Sequence, residues 1–254
     1  MDRLLLREAS RKRSGTALAS GLRRAMTVLG ERMSDELEDF WEAQARRGVA
    51  IFLENNQRAR RGDKSRNPRA IIPAGDAEKL VRAAGPFVRD MLSRSSSAAG
   101  DLVGIGGLTD TNPALLELLA RAATRLTRVN DATREAVRAA ITEGSSRGYS
   151  DFQIARGVPE DSFPGLRDVI TETYRGRADT VARTELATAS QEAAVERYAS
   201  AGVSQVEVLD GPGCGWTEHA DPDEANGSLR TLAEAEQYPI AHPNCVRVFV
   251  PVIP

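Results

Sequence analysis

The sequence predicts a mainly α-helical protein that ends in a small α+β module. Aromatic residues make up 5% of the chain against 41% hydrophobic residues, which favours helices packed through Ala, Leu and Val over a β-sandwich. Apolar residues recur at helical spacing up to Gly202, and two alternating, β-rich segments, VSQVEVL and CVRVFVPV, follow it. We therefore expect a helical N-terminal half, and then a long helix followed by short antiparallel strands around a Cys/His loop.

The first part of the chain is expected to contain a helix and a polar linker. Asp35 begins the predicted helix, because Glu38 follows three residues later, as in a capping box. Its apolar face comprises Leu37, Phe40, Trp41 and Ala45. Gln44, a polar residue, interrupts this face. Residues 55–76 are polar, basic and broken by Gly and Pro, which is typical of a linker or a long loop.

A second helix and a connector are expected next. Asp76 caps the helix, and Pro86 is expected to kink it. Its apolar face comprises Leu80, Ala84, Val88 and Met91. Residues 93–112 are rich in Ser and Gly and predict a flexible connector, since they lack the Gly-Lys-Ser/Thr ending of a phosphate loop. Asn112 followed by Pro113 is typical of a helix start.

Further helices are expected between Asn130 and the β-rich segments. One starts at Asn130, which has the character of an N-cap, and a short one lies within 149–159. Another lies within 163–174. The last and longest spans 177–202 and closes at Gly202, a typical C-terminal glycine.

Charge is distributed unevenly along the chain. Residues 1–70 hold 16 Lys and Arg against 10 Asp and Glu, a net charge of +6, whereas the remaining residues carry a net charge of -8. Basic runs of this kind can neutralise nucleic-acid phosphates. The residues predicted to make such contacts are Arg11, Lys12, Arg13, Arg58, Arg60 and Arg61. The alternative is a solvated helix face and a solvated linker, because acidic residues are interleaved from Glu31 to Glu42.

All the cysteines and histidines of the chain lie in one C-terminal window. They are Cys214, His219, His242 and Cys245. Zinc prefers four thiolate or imidazole ligands, and short pairs such as C-x4-H and H-x2-C let one turn aim two side chains at one point. The spacing predicts a structural Zn2+ site. The alternatives are a set of packing residues without a metal, and catalytic metal or thiol chemistry, although the acidic loop disfavours a thiolate.

Four short motifs follow one another in the C-terminal half: ARTE at 182–185, Cys214, Gly227 and HPNC at 242–245. In this order they resemble the phage head morphogenesis family, minor capsid proteins similar to the F protein of phage Mu, over roughly residues 130–251. The motif residues besides the predicted ligands are Arg183, Thr184, Glu185, Gly227, Pro243 and Asn244. The family often has C-x2-C where this chain has CGWTEH, and HPNCRC where it has HPNCVRV, so His219 is the candidate replacement for one cysteine.

The resemblance implies a structural role in building the head of a tailed bacteriophage, without catalytic residues. The implied partners are the portal protein and the major capsid protein, with possible non-specific contact to packaged DNA. Residues 1–110 are then a helical, basic region for docking on the portal, the capsid or DNA. Residues 111–254 are a head-morphogenesis-like domain with a zinc-binding loop at 210–245. The expected location is the capsid interior at the portal vertex, after assembly in the host cytoplasm.

Two other functions stay open from the residues alone. A metal-dependent hydrolase or nuclease would use His242 and Asn244, but the chain lacks the extra histidine that such a site needs. A zinc-containing DNA-binding protein would use residues 205–254, where eight acidic residues outnumber two basic ones. Zinc modules that bind DNA are normally basic, so this charge balance disfavours that function.

No membrane segment or secretory signal is expected. No apolar run reaches the roughly 18 residues that a membrane helix needs. The apolar stretch in the N-terminal sequence MDRLLLREASRKR is too short for a secretory signal. Cysteines in a reducing cytosol are more often ligands or thiols than disulfides, which agrees with the zinc prediction.

Overall fold

The computed structural model describes residues 2–61, 71–73, 75–175, 177–210 and 225–253, with side chains described for all of these except 2–13 and 172–175. Helices account for 73% of it, which confirms the expected mainly helical class with a small C-terminal antiparallel sheet. The helices are α1 Asp2–Arg60, α2 Gly75–Val103, α3 Pro113–Ser146, α4 Asp151–Arg156, α5 Leu166–Arg175, α6 Arg177–Ser200 and α7 Leu232–Gln237. The strands are β1 Gly157–Val158, β2 Phe163–Pro164, β3 Gln205–Leu209, β4 Leu229–Thr231 and β5 Val248–Val252.

The chain folds into two compact units, and each is built from separate stretches of sequence. The first contains Met1–Arg32, Pro86–Ala122 and Thr180–Pro254, and the second contains Met33–Gly85 and Ala123–Asp179. The divisions fall inside α1, α2, α3 and α6. The predicted domain boundary near residue 110 does not coincide with this division, because α1, α2 and α3 are long enough to contribute residues to both units.

Helix α6 runs through the interior of the first unit. Every residue from 185 to 195, three turns of helix, is buried, and most of these residues are Ala, Ser or Thr. Glu192, one of the few charged residues in this stretch, forms an ion pair with Arg121 of α3 at 2.9 Å. The hydrophobic cluster that joins α6 to the strands comprises Ala99, Ala194, Val195, Tyr198, Val206, Val208, Ala225, Ala235 and Phe249.

A three-stranded antiparallel sheet in the order β4-β3-β5 belongs to the first unit, and α6 covers its β5 edge. The Gln191 side chain donates to Arg247 O at 2.7 Å and accepts from Phe249 N at 3.1 Å. The Tyr198 hydroxyl donates to Phe249 O at 3.1 Å. These side chains satisfy the backbone groups that an unpaired edge strand would otherwise present to another chain.

The second unit is a helical assembly that contains a hydrophobic cluster. The cluster comprises Ala45, Phe52, Ile71, Ile72, Val137, Ala140, Ile154, Ala155, Leu166 and Ile170. Its members come from α1, α3, α4, α5 and the segment before α2. Helix α4 starts at a capping box formed by Ser150 and Gln153, and the two-stranded sheet β1-β2 connects α4 to α5.

A buried polar network lies in the second unit. Asp76, near the start of α2, is fully buried and accepts hydrogen bonds from Lys79 at 2.9 Å, Arg47 at 3.2 Å and Gln44 at 3.3 Å. Gln44 also donates to Asn130 Oδ1 at 2.9 Å. Burial alone would raise the pKa of Asp76, but the hydrogen bonds from Lys79 and Arg47 and the charge of Arg47 lower that pKa below its ordinary value.

Two expected helix starts are wrong, because both residues lie inside longer helices. Asp35 is in the middle of α1 and Asn130 is in the middle of α3. The apolar face of α1 extends upstream of Asp35 through the buried residues Leu29 and Met33, so the helix does not begin there. The Asn130 side chain binds Gln44 of another helix and does not cap its own. Tertiary contacts therefore override the local capping signal.

The predicted Ser- and Gly-rich connector is shorter than expected. Residues 93–103 belong to α2, and only the rest of the segment connects to α3. The Ser95 hydroxyl donates to Ser190 O of α6, and a side chain on Gly100 would collide with the carbonyl oxygen of Ile105. The small residues therefore permit close packing and do not mark a loop over this whole range.

Several local predictions are confirmed. Helix α3 begins at Pro113, and Asn112 Oδ1 accepts a hydrogen bond from Ala114 N at 2.9 Å. The predicted apolar face of α2, comprising Leu80, Ala84, Val88 and Met91, is buried. Helix α2 continues through Pro86, and the kink expected there stays a prediction. Gly202 follows the end of α6 with φ 73°, as expected for a C-terminal glycine.

We expect Asp76→Asn to lower the free energy of unfolding by about 2 kcal/mol at pH 7, because its three donors lose a charged acceptor. A carboxylate whose pKa is lowered on folding stabilises the protein above its unfolded pKa. This contribution is lost as the pH falls through the folded pKa, which lies below 3.8. In urea unfolding, the difference between wild type and variant should therefore shrink as the pH is lowered from 4.

The matched control is Asp110→Asn. Asp110 pairs with Arg89 at 3.3 Å, but its side chain is 79% exposed, and exposed pairs contribute about 0–1 kcal/mol. If Asp76→Asn were no less stable than this control, the buried carboxylate would have no special part in stabilising the second unit.

Candidate functional site

The structure describes two of the four predicted zinc ligands. His242 and Cys245 lie between α7 and β5, whereas Cys214 and His219 lie outside the described residues. Within the part of the chain that the structure describes, no three His, Cys, Asp or Glu side chains are grouped so that they could hold a metal ion. Only the positions of His242 and Cys245 therefore bear on the predicted zinc site.

His242 and Cys245 occupy the two ends of a tight turn, which we call the HPNC turn (residues 242–245). Cys245 N donates to His242 O at 3.2 Å, and Asn244 has φ 64°. Proline at the second position and a positive φ at the third are typical of a type II turn, whose end Cα atoms lie within about 7 Å of each other. Asn tolerates a positive φ better than most residues with a side chain. The turn thus brings two predicted ligands close together.

The surroundings of the two residues fit metal ligation. The His242 Nδ1 atom lies 2.7 Å from Pro243 O. When Nδ1 carries the ring hydrogen and donates it to this carbonyl, the lone pair is on Nε2, as metal-ligating histidines require. Cys245 is 1% exposed, so a thiolate there would need a cation beside it. The HPNC turn therefore carries an imidazole and a thiol, two ligand types that zinc accepts.

The HPNC turn contacts the ARTE motif. Asn244 N donates to Thr184 Oγ1 at 3.2 Å, and Asn244 Nδ2 donates to Thr180 Oγ1 at 3.5 Å. Thr180 and Thr184 are four residues apart on α6, so they lie on the same face of the helix. Two motifs that are 60 residues apart in sequence are thus joined by the hydrogen bond from Asn244 N to Thr184 Oγ1.

The other residues of the ARTE motif differ in exposure. Ala182 and Glu185 are buried, whereas Arg183 is exposed. Residues two positions apart on a helix do not face each other, so Arg183 and Glu185 point in different directions. The motif therefore combines residues that pack inside the first unit with one arginine on its surface.

Gly227, another motif residue, lies in the turn before β4. Ser228 N donates to Ala225 O at 2.8 Å, and the φ of Gly227 is 80°, a conformation that favours glycine. Gly227 N donates to Val208 O at 2.7 Å, which ties this turn to β3. The motif glycine is thus explained by backbone geometry.

Two arginines and one aspartate close the base of the Cys/His loop, which we call the loop neck (Leu209–Asp210 and Val246–Arg247). Arg247 donates to the two carboxylate oxygens of Asp210 at 2.7 and 3.2 Å, and their side chains are only 2% and 5% exposed. Arg23 of α1 donates to Leu209 O at 2.8 Å and to Val246 O at 3.0 Å. Both sides of the neck are therefore fixed by charge-assisted hydrogen bonds.

The residues predicted to contact nucleic acid are only partly described. The side chains of Arg11, Lys12 and Arg13 and the linker residues 62–70 lie outside the described residues. Arg58 pairs with Glu54, and Arg60 pairs with Asp151 at 3.1 Å. Arg61 is exposed. Acidic partners offset part of the positive charge at this end of α1, which favours the solvated-face interpretation over a phosphate-binding surface.

The sequence interpretation missed four residues of this region: Arg23, Thr180, Asp210 and Arg247. Arg247 carries a usable signal, since a charge inside an apolar β-rich segment needs a buried partner. Thr180 carries a weaker one, because it precedes Thr184 by one helical turn. Arg23 has no such signal among the many arginines of the N-terminal region.

No protein-family model, curated protein or solved structure matches this chain. Among the described helices, none is long and apolar enough to cross a membrane. The contacts within the chain and the motif resemblance are therefore the basis for a functional proposal.

We expect Arg247→Met to lower the free energy of unfolding by about 3–5 kcal/mol, because it leaves the buried Asp210 carboxylate without its partner. The double variant Arg247→Met, Asp210→Leu should recover most of this loss, since both charges are then removed. Urea unfolding of the two single variants, the double variant and wild type measures this coupling.

Arg94→Met is the control for this cycle, because the Arg94–Asp90 pair is exposed on α2 and should contribute about 0–1 kcal/mol. A single Arg247→Met variant that loses no more stability than Arg94→Met would contradict the proposed importance of the loop neck.

Proposed function

We propose that the chain is a structural minor capsid protein of a tailed bacteriophage that acts in head morphogenesis. The observation that supports this most is the contact between Asn244 of the HPNC turn and Thr184 of the ARTE motif. A chance occurrence of two short motifs would not require them to touch. A family signature whose parts cooperate in one fold would be expected to bring them together, as they are here.

Among the residues that the structure describes, the motif residues of the first unit favour a structural role over a catalytic one. The motif residues Ala182, Glu185 and Cys245 are buried, and Gly227 and Asn244 adopt positive φ values that shape turns. Residues of this kind stabilise a fold, whereas catalytic groups must be able to touch a substrate. We therefore propose a non-enzymatic role, with the portal protein and the major capsid protein as partners inside the head.

We further propose that Cys214, His219, His242 and Cys245 hold one structural zinc ion. The pairing of an imidazole and a thiol in the HPNC turn supports this, as does the fixed loop neck, which keeps the ends of the intervening segment together. A bound zinc would contribute free energy to the folding of the C-terminal module. Contact with packaged DNA would be weak and non-specific, because Arg58 and Arg60 already have acidic partners.

We expect tag-free protein to contain about one zinc per chain by elemental mass spectrometry, because four ligands make one tetrahedral site. Both Cys214→Ser and His242→Ala should lose the zinc, since each removes one ligand. Ser204→Ala, which replaces a polar residue outside the ligand set, should keep the zinc. Well-folded wild-type protein without zinc would overturn the metal proposal and leave the capsid role to be tested separately.

The capsid role predicts that the full chain binds the portal protein encoded by the same genome. We expect the two proteins to elute together from a size-exclusion column. As a control, the chain should not elute together with the tail tube protein encoded by the same genome. The proposal would be contradicted if the chain bound neither the portal protein nor the major capsid protein. Metal-dependent nicking of plasmid DNA that is lost in His242→Ala would instead support the hydrolase alternative.

A further inference from the structure

The C-terminal end and the tip of the HPNC turn are held by different kinds of contact. On its C-terminal side, the backbone carbonyl of Val246 accepts from Arg23 at 3.0 Å, and that of Arg247 accepts from Gln191 at 2.7 Å. The Arg247 side chain is also paired with buried Asp210. The chain immediately after the turn is therefore firmly fixed to α1, to α6 and to the end of β3.

The tip of the turn is held by weaker bonds. Asn244 is exposed, and its hydrogen bonds to Thr184 at 3.2 Å and to Thr180 at 3.5 Å lie where water can replace them. Neutral hydrogen bonds in such positions contribute little net stability, so they break more often than the buried charge pair at the neck. We therefore expect the tip of the turn to detach more readily than its C-terminal end.

Cys245 lies between the exposed tip and the fixed neck. Its side chain is 1% exposed, although its neighbour Asn244 is exposed. Movement of the tip away from α6 would also displace Cys245, because Cys245 directly follows Asn244. The hydrogen bonds from Asn244 to Thr184 and Thr180 oppose this movement.

We propose that Thr184, together with Thr180, is a latch that positions the HPNC turn, and that release of this latch exposes Cys245. Thr184 of the ARTE motif and Asn244 of the HPNC motif then act together to keep the turn closed. Where the turn contributes ligands to zinc, the latch also governs access of the cation to Cys245. That consequence rests on the proposed metal site, whereas the latch itself needs no metal.

The test measures how fast Cys245 reacts with an aromatic disulfide reagent in the metal-free full chain. All proteins carry Cys214→Ser, so Cys245 is the sole thiol. We expect Thr184→Val to raise the reaction rate about fivefold, which corresponds to about 1 kcal/mol for one lost hydrogen bond. Thr184→Ser keeps the hydroxyl and should react at the original rate.

The control is Thr142→Val. Thr142 is exposed on α3 and donates to Arg138 O of its own helix, so this variant should leave the thiol rate unchanged. Circular dichroism of each variant establishes that the helices are retained. If Thr184→Val reacted at the original rate, or if Thr184→Ser reacted as fast as Thr184→Val, the latch proposal would be overturned.

Asn244→Gly provides a second test in case Thr184→Val does not fold. Glycine accepts the positive φ of this position, and the substitution removes the Nδ2 donor to Thr180. We expect a rate increase of about threefold, less than for Thr184→Val because the longer bond is lost. A rate equal to that of the parent would overturn the proposal. Because the assay contains no metal, its outcome is independent of whether the wild-type chain binds zinc.

Discussion

The burial of α6 is the constraint on which the first unit depends. A helix that is buried over three turns has no solvent-facing side, so its residues must be small, find polar partners inside the protein, or be apolar. Ala, Ser and Thr meet the first condition. Gln191, Glu192 and Tyr198 meet the second, through the β5 edge and Arg121. The composition of this helix is thus a consequence of its position.

The polar side chains of α6 also organise the neighbouring elements. Gln191 and Tyr198 occupy the outer edge of β5, which prevents that edge from pairing with a strand of another molecule. About two turns before Gln191, Thr184 contacts the HPNC turn. The same helix therefore sets the position of the sheet and of the segment that leads into it. This arrangement brings the motif on α6 into contact with the motif before β5.

Local signals in the sequence predicted the helical class, the α3 start at Asn112–Pro113 and the end of α6 before Gly202. These features depend on neighbouring residues, which a sequence displays directly. The interpretation of Asn130 as a cap was wrong, because an Asn side chain serves equally well as a partner in a buried network. Which of the two uses applies is decided by residues far away in the chain. Asp35 is exposed inside α1, and it is not a cap because the apolar face of α1 continues upstream of it.

The candidate site shows the same limit. Spacing alone identified His242 and Cys245 as a pair, because a four-residue turn is a local structure. The contacts that hold the turn come from residues at sequence distances of 60 and more, such as Thr184 and Arg23. No local sequence pattern indicates these contacts, since a threonine on a helix or an arginine in a basic region can make many other interactions. The function of a short motif therefore depends on distant residues that fix its geometry, and these have to be found in the folded chain.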